Sequence, residues 1–581
     1  MSYGVREENP LSLFLLQPAL SGRGAVGRMA GSSGINESTQ IFLKLRSVFY
    51  RIWGPYKSPH TSKSAGWPPD RHGNFRNDRM ETLQLIAYGF SVVFQPANLL
   101  CAFLGAVAGT LVGVLPGLGP VGAMSMLLPV TFGMPPTGAM IMLAGIYYGA
   151  QYGGSTTSIL VNIPGESSSV VTCLDGYQMA RKGNAGKALG IAAFGSFIAG
   201  TIGVVGLSFL APPLTEAALT FGAPEYFSLM CLGLTVLTFL AHGSMLKALI
   251  MAIMGLFVGT IGIDLTTGRQ RFTLGFQGLM EGVGLVQIAM GMFGISEIFW
   301  NVEKTLKISV FETKLKGLFP DLQDWRRSIG PILRGTGIGF FLGILPGGGA
   351  VIASFASYAI EKRLSPHPEK FGSGIIEGVA APESANNAAA QGAFIPLMTL
   401  GIPSNVVMAL LLGALMLHGL TPGPLLMTRN PDLFWGVITS MYIGNLMLLV
   451  LNLPLIPLWV KFLRIPYPIL FPFILLFCVI GVYTINNNVF DIFLMIFFGV
   501  VGYLAKKFEF EAAPFILAVV LGPLMEKAFR QSLIMFQGDF SVFITRPISG
   551  VIFGIAILLL TIPLITKGSK RERIASLKDE D

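Results

Sequence analysis

Apolar residues in this chain come in long runs rather than at alternating positions. Past Met80 the runs lie near 99–115, 121–150, 188–210, 226–242, 245–263, 279–300, 332–360, 388–417, 434–463, 468–483, 489–505, 512–525 and 549–566. A helix of about 20 apolar residues spans a bilayer; several runs approach that length, and others are short enough to be re-entrant. The pattern predicts an all-α polytopic membrane protein with roughly 10–14 membrane segments, hairpins included. Pro135-Pro136 and Pro212-Pro213 read as helix ends or exits from the membrane.

Two of the runs are interrupted in the same way. Gly113-Val-Leu-Pro-Gly-Leu-Gly-Pro-Val121 and Gly343-Ile-Leu-Pro-Gly-Gly-Gly-Ala-Val351 stand 230 positions apart. Broken backbone in hydrocarbon leaves polar groups that cost several kcal/mol each unless they face protein or a water-filled cavity. About 240 positions also separate Asn162-Ile-Pro-Gly165 from Gly401-Ile-Pro-Ser404, and a long apolar helix follows each. The chain therefore divides into a first membrane repeat (80–305), a polar connector (306–331), a second repeat (332–567) and a polar tail (568–581). Matched breaks in two halves point to the binding site of a secondary transporter.

Composition changes this picture little. Charged residues are 12% of the chain, about half the usual soluble share, and Gly 71 and Pro 36 suit packed membrane helices. The four cysteines have neither metal-ligand spacing nor a disulfide framework and read as packing residues. Of the net charge of +9, residues 1–79 carry the larger part, with eleven Lys or Arg against five Asp or Glu. That stretch has no spanning run and reads as a basic arm outside the repeat, disordered or the product of an upstream start site. The connector and the tail after Ile565 are both basic, which by the positive-inside rule places both in the cytoplasm. Such a placement demands parallel repeats; an odd number of crossings per half gives inverted ones.

Four polar clusters lie in apolar surroundings: Gly117 to Gly119, Gly153 to Thr157 leading to Asn162, Gly347 to Gly349, and Pro382 to Asn387 leading to Ser404-Asn405. Broken helices direct N–H groups at a carboxylate and leave carbonyls, with Asn, Ser and Thr oxygens, for Na⁺. The substrate-binding candidates are Gly117, Gly119, Ser155, Thr156, Asn162, Gly347, Gly348, Asn386, Asn387 and Ser404. Candidates for ion coupling are Asn162, Glu383, Asn387 and Asn405, with no metal beyond a transported Na⁺. The competing structural reading is that the glycines only permit close packing and the hydroxyls bond their own helix. Glu281, Glu297 and Asp264 read as interfacial, Asp175 to Gly183 as a surface turn, and Arg334 as a snorkelling cation or a partner for a substrate carboxylate. His242 and His418 read as packed or interfacial.

No Walker pattern, His-Glu-x-x-His or Asp-x-x-x-Asp is present, so neither ATP hydrolysis nor a familiar membrane-enzyme chemistry is indicated. From Met80 to Ile565 the chain resembles the large membrane subunit of tripartite tricarboxylate transporters, the TctA family. The resemblance rests on Gly109 to Pro120, Tyr152 to Gly165, Asp175 to Ala180, Gly343 to Gly349 and Ala380 to Asn387. It implies a bacterial inner-membrane symporter without enzymatic activity or cofactor. It further implies a smaller membrane subunit, a periplasmic solute-binding protein, a small carboxylate substrate and an H⁺ or Na⁺ gradient as driving force. Another carrier or a channel for small organic anions, and less readily a membrane-embedded enzyme, are the alternatives.

Overall fold

The computed structural model describes residues 79–115, 118–240, 244–264, 266–303, 317–347, 349–463 and 467–576. The expected arm (1–79, but for Arg79), His242 and the candidates Gly117 and Gly348 lie outside them. Helices dominate. The first half holds α1 (Arg79–Val93), α2 (Pro96–Val114), α3 (Gly119–Leu127), α4 (Pro136–Val161), α5 (Val170–Arg181), α6 (Ala185–Ala218), α7 (Ala223–Leu240), α8 (Met245–Gly259), α9 (Leu285–Ala289) and α10 (Ser296–Glu303). The second holds α11 (Leu322–Ile344), α12 (Gly349–Leu364), α13 (Glu377–Gly392), α14 (Phe394–Leu400), α15 (Val406–Leu417), α16 (Leu425–Arg429), α17 (Pro431–Asn452), α18 (Ile456–Leu463), α19 (Tyr467–Asn486), α20 (Val489–Lys507), α21 (Ala512–Met535), α22 (Val542–Thr545) and α23 (Pro547–Ser576). A two-stranded hairpin, Gly262–Ile263 with Gln270–Arg271, follows α8. Among the described residues eight helices are long and apolar enough to cross a membrane, and five shorter apolar helices accompany them. The chain is an all-α polytopic membrane protein.

The 230-residue repeat is written into the packing. Gly105, Gly109 and Gly113 lay one face of α2 onto α4. A methyl on each would come within 2.4, 2.5 and 2.3 Å of the carbonyl oxygens of Met142, Ile146 and Ala150. In the second half Gly335, Gly339 and Gly343 lay α11 onto α13, where a methyl would come within 2.4, 2.1 and 2.3 Å of the carbonyls of Ala381, Ala385 and Ala389. Glycine every fourth residue lets two backbones touch, and where lipid is as apolar as the side chains, close packing is what holds helices together.

Helix directions settle the relation of the halves. Ser208 on α6 lies 3.1 Å from the Tyr442 hydroxyl on α17. A methyl on Gly200 would meet the Asn445 amide at 2.8 Å, and Ser196 shares a cavity wall with Asn452. Numbers fall on α6 as they rise on α17, so these two equivalent helices run antiparallel. The same holds for α4 and α13. Tyr148 on α4 abuts Gly444, and Thr137 abuts Gly436, so α4 runs with α17. Ser384 abuts Gly195 and Gln391 abuts Gly203, so α13 runs with α6. The repeats are inverted, against the lean of the charge distribution towards parallel ones. Two further expectations change. Helix α6 continues through Pro212-Pro213 to Ala218, and Asp175 sits on helix α5, fully buried, rather than in a surface turn.

Candidate functional site

Each half breaks twice, and the breaks meet. Helix α2 ends at Val114, whose carbonyl accepts the Thr157 hydroxyl at 2.7 Å. The chain restarts as α3 at Gly119, in the left-handed region (φ 58°) that glycine tolerates. Helix α11 ends at Ile344 and restarts as α12 at Gly349, again with positive φ (45°). The second break follows Asn162 in the first half and Gly401 in the second, both left-handed helix caps (φ 60° and 72°). Next come the corresponding residues Glu166 and Asn405, each extended and each capping the helical turn that follows. Gly347 donates its N–H to the Ser404 carbonyl at 2.8 Å, tying the two breaks of the second half together.

Polar side chains from the first half converge on α13 of the second. Ser155 donates to Glu383 Oε2 at 2.5 Å, and Thr172 bonds the other oxygen of the same carboxylate. Asn386 donates to Glu166 Oε1 at 2.6 Å. Ser168 lies 2.8 Å from Asn386 Oδ1 and 3.2 Å from Gln151 Oε1, and bonds Glu166 as well. Asn387 donates to Ser196 Oγ at 2.7 Å while its Oδ1 has no partner in the protein. Glu383 is fully buried and Glu166 is 7% exposed, and among the described residues neither forms an ion pair. Their hydrogen-bond partners are neutral hydroxyls and amides, an arrangement that taxes two buried negative charges and favours a bound proton or cation.

Ser155, Glu383, Asn386 and Asn387 thus come together, and Thr156 lines a small cavity beside Ser155. Other candidates sit apart. Asn162 is exposed at the end of α4, where its left-handed backbone terminates the helix. Asn405 caps α15 by accepting the Met408 N–H at 3.0 Å, and Ser404 is buried with its carbonyl held by Gly347. The Gly347 N–H is therefore occupied, and the residue packs against Leu237 of α7, where a methyl would fall 2.7 Å from the Cα. Gly119 is half-buried beside Gly165. Arg334 forms a two-pronged pair with Glu361 at 2.7 and 3.0 Å. Glu297 pairs with Lys506 at 2.6 Å, and Asp264 with Arg530 at 3.0 Å.

The carboxylate of this cluster absent from the sequence reading is Glu166. The second repeat carries Asn405 at the equivalent place, so matching the halves passes over it. Its signal was its isolation: it is the only acid between Glu81 and Asp175. A much larger cavity, about 710 Å³, opens at the far end of α15 and is lined by Glu281, Gln287, Met416, Asn486 and Asp491. Among the described residues no three His, Cys, Asp or Glu side chains converge as metal ligands.

Paired broken helices, closed against each other inside an inverted repeat, define a multi-pass membrane protein of transporter type. The chain belongs to the tripartite tricarboxylate transporter TctA family, whose model matches residues 99–517. It is 53% identical over 496 residues to an uncharacterized 52.8 kDa protein of Agrobacterium vitis from the TAR-I ttuC' 3' region, covering 85% of this chain and 99% of that one. It is 54% identical over 237 residues to a second Agrobacterium vitis protein, from the TAR-II ttuC' 3' region, covering 41% of this chain and 98% of that one. No solved structure matches.

Proposed function

We propose that this chain is the large transmembrane subunit of a binding-protein-dependent secondary transporter that takes up a small carboxylate by ion-gradient-driven symport. The observation that carries the reading is the pair of buried carboxylates, Glu166 and Glu383, held by neutral groups where the two halves meet. An anionic substrate entering beside ionised carboxylates is repelled: two unit charges about 4 Å apart oppose each other by about 4 kcal/mol even at an effective dielectric of about 20. A proton or Na⁺ on this cluster removes that repulsion, so each ligand binds better with the other present, and the coupling is reciprocal. The amide groups of Asn386 and Asn387 and the hydroxyls of Ser155 and Thr156 supply donors and acceptors for both ligands. The helix starts after the four breaks (Gly119, Glu166, Gly349 and Asn405) add N–H groups suited to a carboxylate. Asn162 and Ser404 belong to the same breaks.

The family makes a small membrane subunit and a periplasmic binding protein the expected partners, and the bacterial inner membrane the expected location. The test is uptake of a panel of radiolabelled di- and tricarboxylates into proteoliposomes carrying the whole system. Symport predicts saturable uptake that needs the binding protein and collapses when the ion gradients are dissipated. Flux that is linear in concentration and indifferent to the gradients would mark a channel.

A further inference from the structure

Beside Ser155, where α4, α6 and α17 meet, lies a small space of about 10 Å³ whose polar wall is made by Tyr152, Ser155, Thr156, Ser196 and Asn452. All five are at least nine-tenths buried. The volume suits one particle the size of a water molecule. Its wall is rich in oxygen atoms, and two of the five residues direct hydrogens elsewhere. Asn452 uses its Nδ2 on the Leu448 carbonyl at 2.9 Å, leaving Oδ1 without a partner. Ser155 gives its hydrogen to Glu383 at 2.5 Å, which leaves lone pairs on Oγ. The Tyr152 hydroxyl has no partner, and Ser196 accepts from Asn387. One residue behind this wall stands Glu383, a buried carboxylate without a counter-charge among the described residues.

We infer that this space is a binding site for a dehydrated monovalent cation of the size of Na⁺. The cation is held by the neutral oxygens of Asn452, Ser155, Thr156 and Tyr152 and balanced through Ser155 by Glu383. A hard cation takes oxygen ligands, and neutral hydroxyl and amide oxygens offer them here as unwound backbone carbonyls do in sodium-coupled carriers. A divalent ion such as Ca²⁺ takes six to eight oxygens, commonly with several carboxylates, and fits poorly here. The inference rests on the symport reading and names its coupling ion. It also places that ion on the α6–α17 side of Glu383, away from Glu166 and Asn386.

The test uses the purified full-length chain in detergent, with no substrate, so that it can fail independently of transport. Thermal unfolding is followed while NaCl replaces choline chloride or KCl at constant ionic strength. The wild type is expected to be stabilised saturably by Na⁺ and by neither other salt. In Asn452→Leu, and in the isosteric Thr156→Val should the first variant not fold, the Na⁺ midpoint should rise about tenfold or more, or the response should vanish. Identical unfolding of the wild type in the three salts, as a site filled only by water would give, overturns the inference. So does a wild-type Na⁺ response in a folded variant. Gradient-driven uptake that persists while the Na⁺ response is absent would reject this cation site and leave the symport reading standing.

Discussion

Asn386 donates its side-chain amide to Glu166 at 2.6 Å, and the two residues belong to opposite inverted halves, 220 positions apart. Ser168 closes the group, its hydroxyl within hydrogen-bond reach of an oxygen on each of them. The bond joins the break that follows α4 to the middle of α13, so the two repeats are tied at their most polar point. Removing one partner leaves the other buried without its bond, a loss of about 1–3 kcal/mol. Glu166→Leu, Asn386→Leu and the double variant should therefore be non-additive in thermal stability. Additive effects in the three purified variants would mean that the two side chains do not act as a unit.

The glycine seams predict a position-specific pattern. Gly109→Ala and Gly339→Ala push a methyl to 2.5 Å from the Ile146 carbonyl and 2.1 Å from the Ala385 carbonyl, where backbone must move. Each should cost about 1–3 kcal/mol and reduce the folded yield in detergent. Gly337→Ala, on the same helix as Gly339 but with nothing within 4 Å, is the control and should be neutral. Equal yields across the three variants would contradict the packing described.

Asp175 holds the loop between α12 and α13. Its carboxylate accepts N–H groups from Gly372 at 3.0 Å, Gly374 at 2.7 Å and Ile375 at 3.0 Å, and the Tyr358 hydroxyl at 2.8 Å. Asp175→Ala leaves these donors unpaired. Hydrogen exchange at Gly372 to Ile375 should then speed up strongly, with α4 unaffected. Unchanged protection in that loop would show that Asp175 does not anchor it.

Much of the fold was legible because its physics is local. Long apolar runs gave the membrane helices, and Gly113 with Gly343 and Asn162 with Gly401 gave the repeat, since left-handed caps and tight contacts demand particular residues. What was not legible was long-range. The antiparallel course of α6 and α17 depends on how distant helices pack, and basic loops alone pointed the other way. Pro212-Pro213 reads as a stop because proline removes a helix bond, yet α6 runs on past both. Part of the polar cluster was readable: Glu383, Asn386 and Asn387 stood out as polar residues in an apolar stretch. Their partners Ser168, Thr172 and Ser196 did not, because a serine or threonine in a membrane helix more often bonds its own backbone. Asn405 does cap its own helix, as the structural alternative anticipated.

The amides divide into two kinds that substitution should separate. Asn387 keeps a free Oδ1 inside the cluster, whereas Asn162 is exposed at a helix end. Asn387→Leu should raise the substrate concentration for half-maximal uptake about tenfold or more and weaken its dependence on the driving ion. Asn162→Gly, which preserves the left-handed cap, should transport nearly normally. The reverse ranking of the two variants would place the ligand near Asn162 instead.

Glu383→Gln separates ion coupling from substrate binding. The change keeps shape and hydrogen bonding while fixing the group in a neutral state. Accumulation of labelled carboxylate and exchange of internal for external substrate should be measured in the same proteoliposomes, with the binding protein present. Coupling through Glu383 predicts that the variant still exchanges substrate but no longer concentrates it when an ion gradient is imposed. Accumulation to the wild-type ratio, with the wild-type dependence on the gradient, would contradict the account.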